Sequence, residues 1–133
     1  MHDAARPLTP PQVTGRVIDA VAGGAGAVIP VLPVTDTLKT VDTSGVVVGT
    51  PRRSDMVAVQ TPQGFRWDVL IRAHEAGASL GADEARAATD DAGLVEAIGG
   101  TVHTVAGDER SMKVTRPLDL ALAQILVAEE TSA

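Results

Sequence analysis

VLPVTDTLKTVDTSGVVVGTPRRSDMVAVQTPQGF, Val31 to Phe65, decides how the rest of the chain is read. It opens with an apolar strand, VLPV. It continues as an extended hairpin, with Ser44-Gly45 as the turn and VVV on the far side. It passes the pair Arg52-Arg53 and returns through a second apolar strand, MVAV, into TPQGF. No helical period interrupts it. Two buried strands therefore flank an arm, at about residues 35–60, that has little core of its own. Such an arm either lies flat on its own domain or reaches a partner.

Composition bounds the rest. A chain of 133 residues is long enough for one domain with a real core. Hydrophobic residues make up 44% but aromatics only 2%, so Val, Leu, Ile and Ala must build that core, with Phe65 and Trp67 as its large rings. Small branched side chains suit α/β layers better than an aromatic-rich sandwich. No apolar run is long enough to cross a bilayer, and MHDAARP lacks the organisation of a signal peptide. Without cysteine, neither a disulfide framework nor a thiolate metal site is possible. A cytoplasmic location is the expectation. The net charge of −6 disfavours a nucleic-acid surface. An anionic small substrate remains compatible, with its field supplied by Arg6, Lys39, Arg53 and Lys113.

Outside the arm, the order of elements is β-α-β-α, a doubly wound pattern with fewer strands than a complete sheet. Thr9-Pro10-Pro11 predicts a helix start, and Val13, Val17 and Val21, with Ile18 beside them, predict its apolar face. Gly23-Gly24 ends it. Ala27 to Val34 predicts a buried strand, which Pro30 and Pro33 place near an edge or make irregular. A helix carrying Trp67, Leu70, Ile71 and His74 follows Phe65, and Gly77 to Ala88 is read as a loop or frayed helix. Thr89 is expected to cap the helix in TDDAGLVEAIGG. TVHTV alternates as a strand, and Met112 to Val114 is expected to form another. Pro117 starts the last helix, with Leu118, Ala121, Leu122, Ile125 and Leu126 as its face. Asp3 stands where a carboxylate usually follows a strand in α/β folds, yet no strand precedes it. The chain is therefore expected to be the later part of a longer protein.

HDAARP, PVTDTLK, TPRRSD, VQTPQGF, TDDAGLVE and MKVTRPLDLALA, in that order, resemble the C-terminal part of the 2-C-methyl-D-erythritol 4-phosphate cytidylyltransferases. The resemblance runs from His2 to about Gln124. It implies a Rossmann-like nucleotidyltransferase sheet, incomplete here, with a protruding β-arm. Residues 1–133 would be the C-terminal part of one such domain, without the glycine-rich loop that wraps CTP. The implied reaction is attack by the phosphate oxygen of methylerythritol phosphate on the α-phosphorus of CTP, releasing pyrophosphate. Both reactants are anions, so the protein must align them and neutralise charge, and no covalent nucleophile is needed. A divalent cation, Mg²⁺ above all, is implied.

The same resemblance assigns roles. On residue type alone, Lys113 is a surface lysine at a strand end and Arg53 a solvated hairpin charge. By resemblance both are catalytic. Lys113 positions the substrate, and Arg53 crosses a homodimer interface to hold the phosphate in the neighbouring subunit, where a guanidinium fork suits it. Arg6, Thr37, Thr61 and Thr89 would contact substrate, although Thr89 is equally read as a plain N-cap. Asp3 would lie beside the nucleotide and the Mg²⁺. Asp90 and Asp91 are read as structural first-turn acids, and His2, His74 and His103 lack metal-ligand spacing. Ser111 stands where an asparagine or similar residue is expected. A second reading makes the chain a non-catalytic, dimerising module that lacks the CTP cradle.

Overall fold

The computed structural model describes residues 1–78 and 90–131. The expectations placed on Thr89 and on most of Gly77 to Ala88 lie outside the described residues.

The central strand is β1 (Ala27–Pro33), whose residues Ala27, Val28, Ile29 and Pro30 are buried. One side of it pairs in parallel with β6 (Val102–Ala106), Ala27 against Val102 through Val31 against Ala106. The other side pairs antiparallel with two short segments laid end to end. β4 (Val57–Val59) covers Val31 to Pro33, and β5 (Gly64–Phe65) covers Ala27 and Val28. Of the two alternatives for Pro30 and Pro33, an edge strand is corrected, because β1 is paired on both sides, while the irregularity is present in its broken partner. Pro30 lacks its N–H where the partner strand itself breaks, directly after Gln60, so little of the ladder is lost.

Helices cover both faces because successive strand residues point opposite ways. Gly64 faces α1 (Pro11–Ala22), close enough that a Cβ would meet Val17 Cγ1 at 2.5 Å. Phe65 faces the other way, onto the cluster of Ala27, Ala73 and Val95, against which Val69 and Leu94 also pack. Those residues come from β1 and from the packed pair α2 (Trp67–Gly77) and α3 (Asp91–Ala97). The layers of an α/β fold are thus present, with one parallel pair among the described strands.

Several local expectations are corrected. The N-cap of α1 is Pro10, and the Thr9 hydroxyl instead donates to the Arg6 carbonyl at 3.1 Å. Ile18 is exposed, and so is Trp67 (76%), which leaves Phe65 as the ring that serves the core. The cap of α3 is Asp90, whose carboxylate accepts from Gly93 N–H at 2.8 Å. Residues 112–114 form no strand. Their chain leaves a 3₁₀ turn at Glu109–Ser111, and Val114 N–H donates to the Ala5 carbonyl at 2.7 Å instead of to a ladder. Helix α4 (Pro117–Thr131) does start at Pro117, yet Leu118, Leu122 and Ile125 are exposed and Ala123 is the residue turned inward. Leucines at 118, 120 and 122, with Ile125, Leu126 and Val127, surround this helix, so its periodicity selects no face.

The arm leaves β1 after Pro33. β2 (Thr40–Val41) and β3 (Val47–Gly49) pair antiparallel in a sheet of their own. The tip is set by Asp42, whose Oδ1 accepts from Ser44 N–H, Ser44 Oγ and Val46 N–H at 2.7–3.0 Å, and by Gly45 at φ +84°. A positive φ is why glycine stands there. Val41, Val46, Val47 and Val48 are all exposed.

Candidate active site

Three loops meet beside the break between β4 and β5. They are the N-terminal residues, the segment from Val59 to Gln63, and the stretch after Ser111. They enclose a cleft of about 350 Å³ lined in part by His2, Asp3, Arg6, Thr61, Gln63 and Lys113.

Asp3 is held from three sides. Its backbone N–H donates to Thr61 Oγ1 at 3.0 Å. Its Oδ1 accepts from Ala5 N–H at 3.0 Å, an Asx turn. Its Oδ2 pairs with Lys113 Nζ at 2.8 Å. The lysine bond, with help from the Ala5 amide, holds the Asp3 carboxyl below the usual carboxylate range. Thr61 Oγ1 also lies 3.0 Å from His2 Nδ1.

Arg6 turns inward. One Nη donates to the Ser111 carbonyl and the other to the Val59 carbonyl at 3.3 Å, while Nε is buried without a partner. Burial lowers its pKa, and Asp3 nearby partly offsets that. Arg6 therefore ties the 111 loop to the end of β4 as well as lining the cleft. Ser111 is fully buried, and its Oγ has no partner.

The structure thus brings together Asp3, Arg6, Thr61 and Lys113. It does not bring Arg53 or Thr37 to them. Arg53 lies in a 3₁₀ turn at the base of the arm and donates to the Thr35 carbonyl at 2.9 Å. It lines a separate cleft of about 650 Å³ with Val31, Pro33, Val34, Met56 and Val57, and the two clefts share no lining residue. Thr37 is exposed between β1 and β2 and lines neither. Sequence reasoning passed over His2, Gln63, Asp90 and Asp91 as site residues, yet all four line the first cleft. Gln63 Nε2 donates to Asp90 Oδ2 at 2.7 Å, and Asp91 pairs with His74 at 2.8 Å, so both aspartates also do the structural work expected of them. The place of Gln63 within TPQGF was the available signal.

Among the described residues no three His, Cys, Asp or Glu side chains cluster as a metal cage. Three carboxylates line the cleft, but Asp90 is taken up by Gln63 and Asp91 by His74, which leaves Asp3, with Lys113 across from it. That donor set fits a Mg²⁺ held chiefly by substrate phosphates, which is how this ion is usually bound. No helix among the described residues is long and apolar enough to cross a membrane.

A mixed sheet covered on both faces, with Asp3, Arg6, Thr61 and Lys113 gathered where its loops meet, defines an α/β domain with a polar cleft. The family model for 2-C-methyl-D-erythritol 4-phosphate cytidylyltransferase matches residues 1–129. The enzyme of that name from Rhodococcus jostii (strain RHA1) is 54% identical over 129 residues, covering 97% of this chain and 54% of its own length. The crystal structure of the enzyme from Thermus thermophilus superposes with a TM-score of 0.77 at 39% identity, over 94% of this chain and 59% of that one. The structure from Francisella tularensis gives 0.83 at 27% identity, over 93% and 56%. The chain belongs to the 2-C-methyl-D-erythritol 4-phosphate cytidylyltransferase family. It spans about half the length of the curated relatives it matches.

Proposed function

We propose that this chain supplies the sugar-phosphate side of a cytidylyltransferase that moves CMP from CTP to 2-C-methyl-D-erythritol 4-phosphate in the non-mevalonate isoprenoid pathway. The observation that carries this reading is the Asp3–Lys113 pair at 2.8 Å in the cleft of a chain of that family. In the reaction a phosphate oxygen of methylerythritol phosphate attacks the α-phosphorus of CTP. A new P–O bond forms, the bond to the β-phosphate bridge breaks, and pyrophosphate leaves. Lys113 would turn its ammonium from Asp3 to the incoming phosphate. Thr61 would donate its hydroxyl, and Arg6 would add positive charge from beneath. Thr89 is assigned to substrate on family resemblance alone. Asp3 would face Mg²⁺, and the ion, when bound, neutralises charge on the phosphates of CTP.

Arg53 and Thr37 fit this scheme in trans. Both lie on the arm side, away from the Lys113 cleft, so a homodimer clasped through residues 35–60 would bring them to the neighbouring site. The exposed valines of the arm support that partner surface. The location consistent with this metabolism is the cytoplasm.

The coverage of about half the relatives' length favours a second reading, a dimerising module that binds methylerythritol phosphate without turnover. Mixing the chain with CTP, Mg²⁺ and methylerythritol phosphate separates the two. Pyrophosphate release supports the enzyme. Binding of the sugar phosphate without release supports the module, and binding of neither ligand rejects both. In an active preparation, a heterodimer of Arg53→Ala and Lys113→Ala subunits should retain one intact site if the residues act across the interface. Loss of all activity would place them in one subunit's site.

A further inference from the structure

Gln60 is 4% exposed, although it is polar and sits at the end of a short strand. Its backbone N–H donates to the Pro30 carbonyl at 2.8 Å, as the last rung between β4 and β1. Its side chain does something else. Nε2 donates to the Asp108 carbonyl at 2.9 Å, and Oε1 accepts from Asp108 N–H at 3.0 Å. The amide therefore satisfies both backbone groups of one residue, as a neighbouring strand would. Gly107 makes this approach possible, since a Cβ there would overlap Gln60 Oε1 and come within 3.0 Å of the Val31 carbonyl oxygen.

The residue so clamped begins the path to Lys113. Asp108 Oδ1 accepts from Arg110 N–H at 2.8 Å, and its carbonyl also accepts from Ser111 N–H at 2.9 Å, which closes the 3₁₀ turn. Arg6 then holds the Ser111 carbonyl, and Ala5 holds Val114 N–H. Lys113 lies between these last two attachments. On the opposite wall, Thr61, the next residue after Gln60, accepts from Asp3 N–H. Adjacent residues thus hold the loops that carry the two partners of the ion pair, Thr61 on the Asp3 side and Gln60 on the Lys113 side.

We propose that Gln60 is a positioning residue, setting the Lys113 ammonium in the cleft by clamping the Asp108 peptide. Its value to catalysis rests on Lys113 being the phosphate-facing group, as argued above. The clamp itself can be read without any substrate. Lys39 and Lys113 are the only lysines in the chain, and Lys39 lies in the arm, where it bonds Thr50. Limited labelling of the full chain with acetic anhydride, followed by peptide mass spectrometry, reports the two amines separately.

Gln60→Met keeps the length and removes both bonds. Gln60→Glu keeps an acceptor for Asp108 N–H but sets a second oxygen against the Asp108 carbonyl. In both variants Lys113 should label several-fold faster with Lys39 unchanged. Asp108 N–H should exchange about fivefold faster or more in Gln60→Met, the scale of one lost hydrogen bond. Faster exchange with unchanged Lys113 labelling would overturn the proposal, as would labelling that rises equally at both lysines. Titration with methylerythritol phosphate adds a separate arm. Gln60→Met should weaken binding, but add nothing to the loss caused by Lys113→Ala, and additive losses would overturn action through Lys113. Absence of binding to the unaltered chain would reject the proposed function while leaving the labelling result to decide the clamp.

Discussion

The Asp3–Lys113 pair is the point where fold and chemistry meet at the scale of single residues. Lys113 and the Ala5 amide favour the ionised form of Asp3, so its folded pKa lies below its unfolded one. A depressed carboxyl stabilises the fold above the ordinary aspartate range of about 3.9, and that contribution disappears as the pH falls through the lower folded value. Replacing Lys113 by Met removes the largest cause. Carboxyl titration followed by ¹³C NMR should then show Asp3 moving up toward the ordinary range, and a titration that stays in place would mean the pair is absent in solution. The same pairing means that Lys113 is not an idle surface lysine before substrate arrives. On the proposed reading it would exchange one anion for another when a phosphate binds. Arg6 differs in kind. Both its Nη groups are already committed to backbone carbonyls, so it contributes field and rigidity more than a free fork.

Among the elements, two features carry testable consequences. Gly64 lets α1 sit down on β5, because a Cβ would come within 2.5 Å of Val17 and 3.1 Å of Val21. Gly64→Ala should therefore destabilise by about 1–3 kcal/mol, the usual cost of overpacking, read as a lower midpoint in urea with little change in slope. The arm tip is an electrostatic device. Asp42 accepts three bonds from its own turn, first of all from the Ser44 hydroxyl, and these hold its carboxyl below the usual range. The sign is the same as for Asp3. The tip should therefore loosen as acidification protonates Asp42. Amide exchange at Ser44 and Val46 should accelerate, relative to the core, only below the ordinary aspartate range. Equal protection at pH 3 and pH 6 would remove Asp42 as the organiser.

For the whole molecule, two groups of exposed apolar residues stand out beside scattered ones such as Ile18, Val57, Val59 and Trp67. One is the arm, with Val41, Val46, Val47 and Val48, and the other is α4, with Leu118, Leu120, Leu122, Ile125 and Val127. The proposed dimer uses the first. Val47→Asp with Val48→Asp on the arm should shift the chain toward monomer in sedimentation velocity, while the circular dichroism of the central domain stays as it was. A chain that sediments as a dimer despite both charges would place the interface elsewhere. If Arg53 acts across that interface, the same double variant should also lose sugar-phosphate binding, because the site would lack its arginine.

Reading the residues in order was enough to determine the α/β class, the helices at Pro11 and Pro117, and the hairpin turning at Ser44-Gly45. Those features are written in local signals: apolar period, proline at helix starts, and glycine where φ is positive. The order of the motifs was also enough to point to the family. Local signals failed where tertiary context decides. Pro30 pointed to an edge or an irregular strand because proline lacks an N–H, and only the fold showed that the irregularity is a break in the partner of a central strand. Leu118, Leu122 and Ile125 looked buried because they are apolar, but a helix apolar all round has no face until something packs on it. Met112 to Val114 looked like a strand, and the carbonyl that receives Val114 lies more than a hundred residues earlier, at Ala5. The site was legible in part. Asp3, Arg6, Thr61 and Lys113 line one cleft, whereas Arg53 and Thr37 lie apart from them. Gln60 was invisible, because an amide that replaces a strand has no local signature: its partner is 48 residues away, and only the folded chain brings them within hydrogen-bond distance.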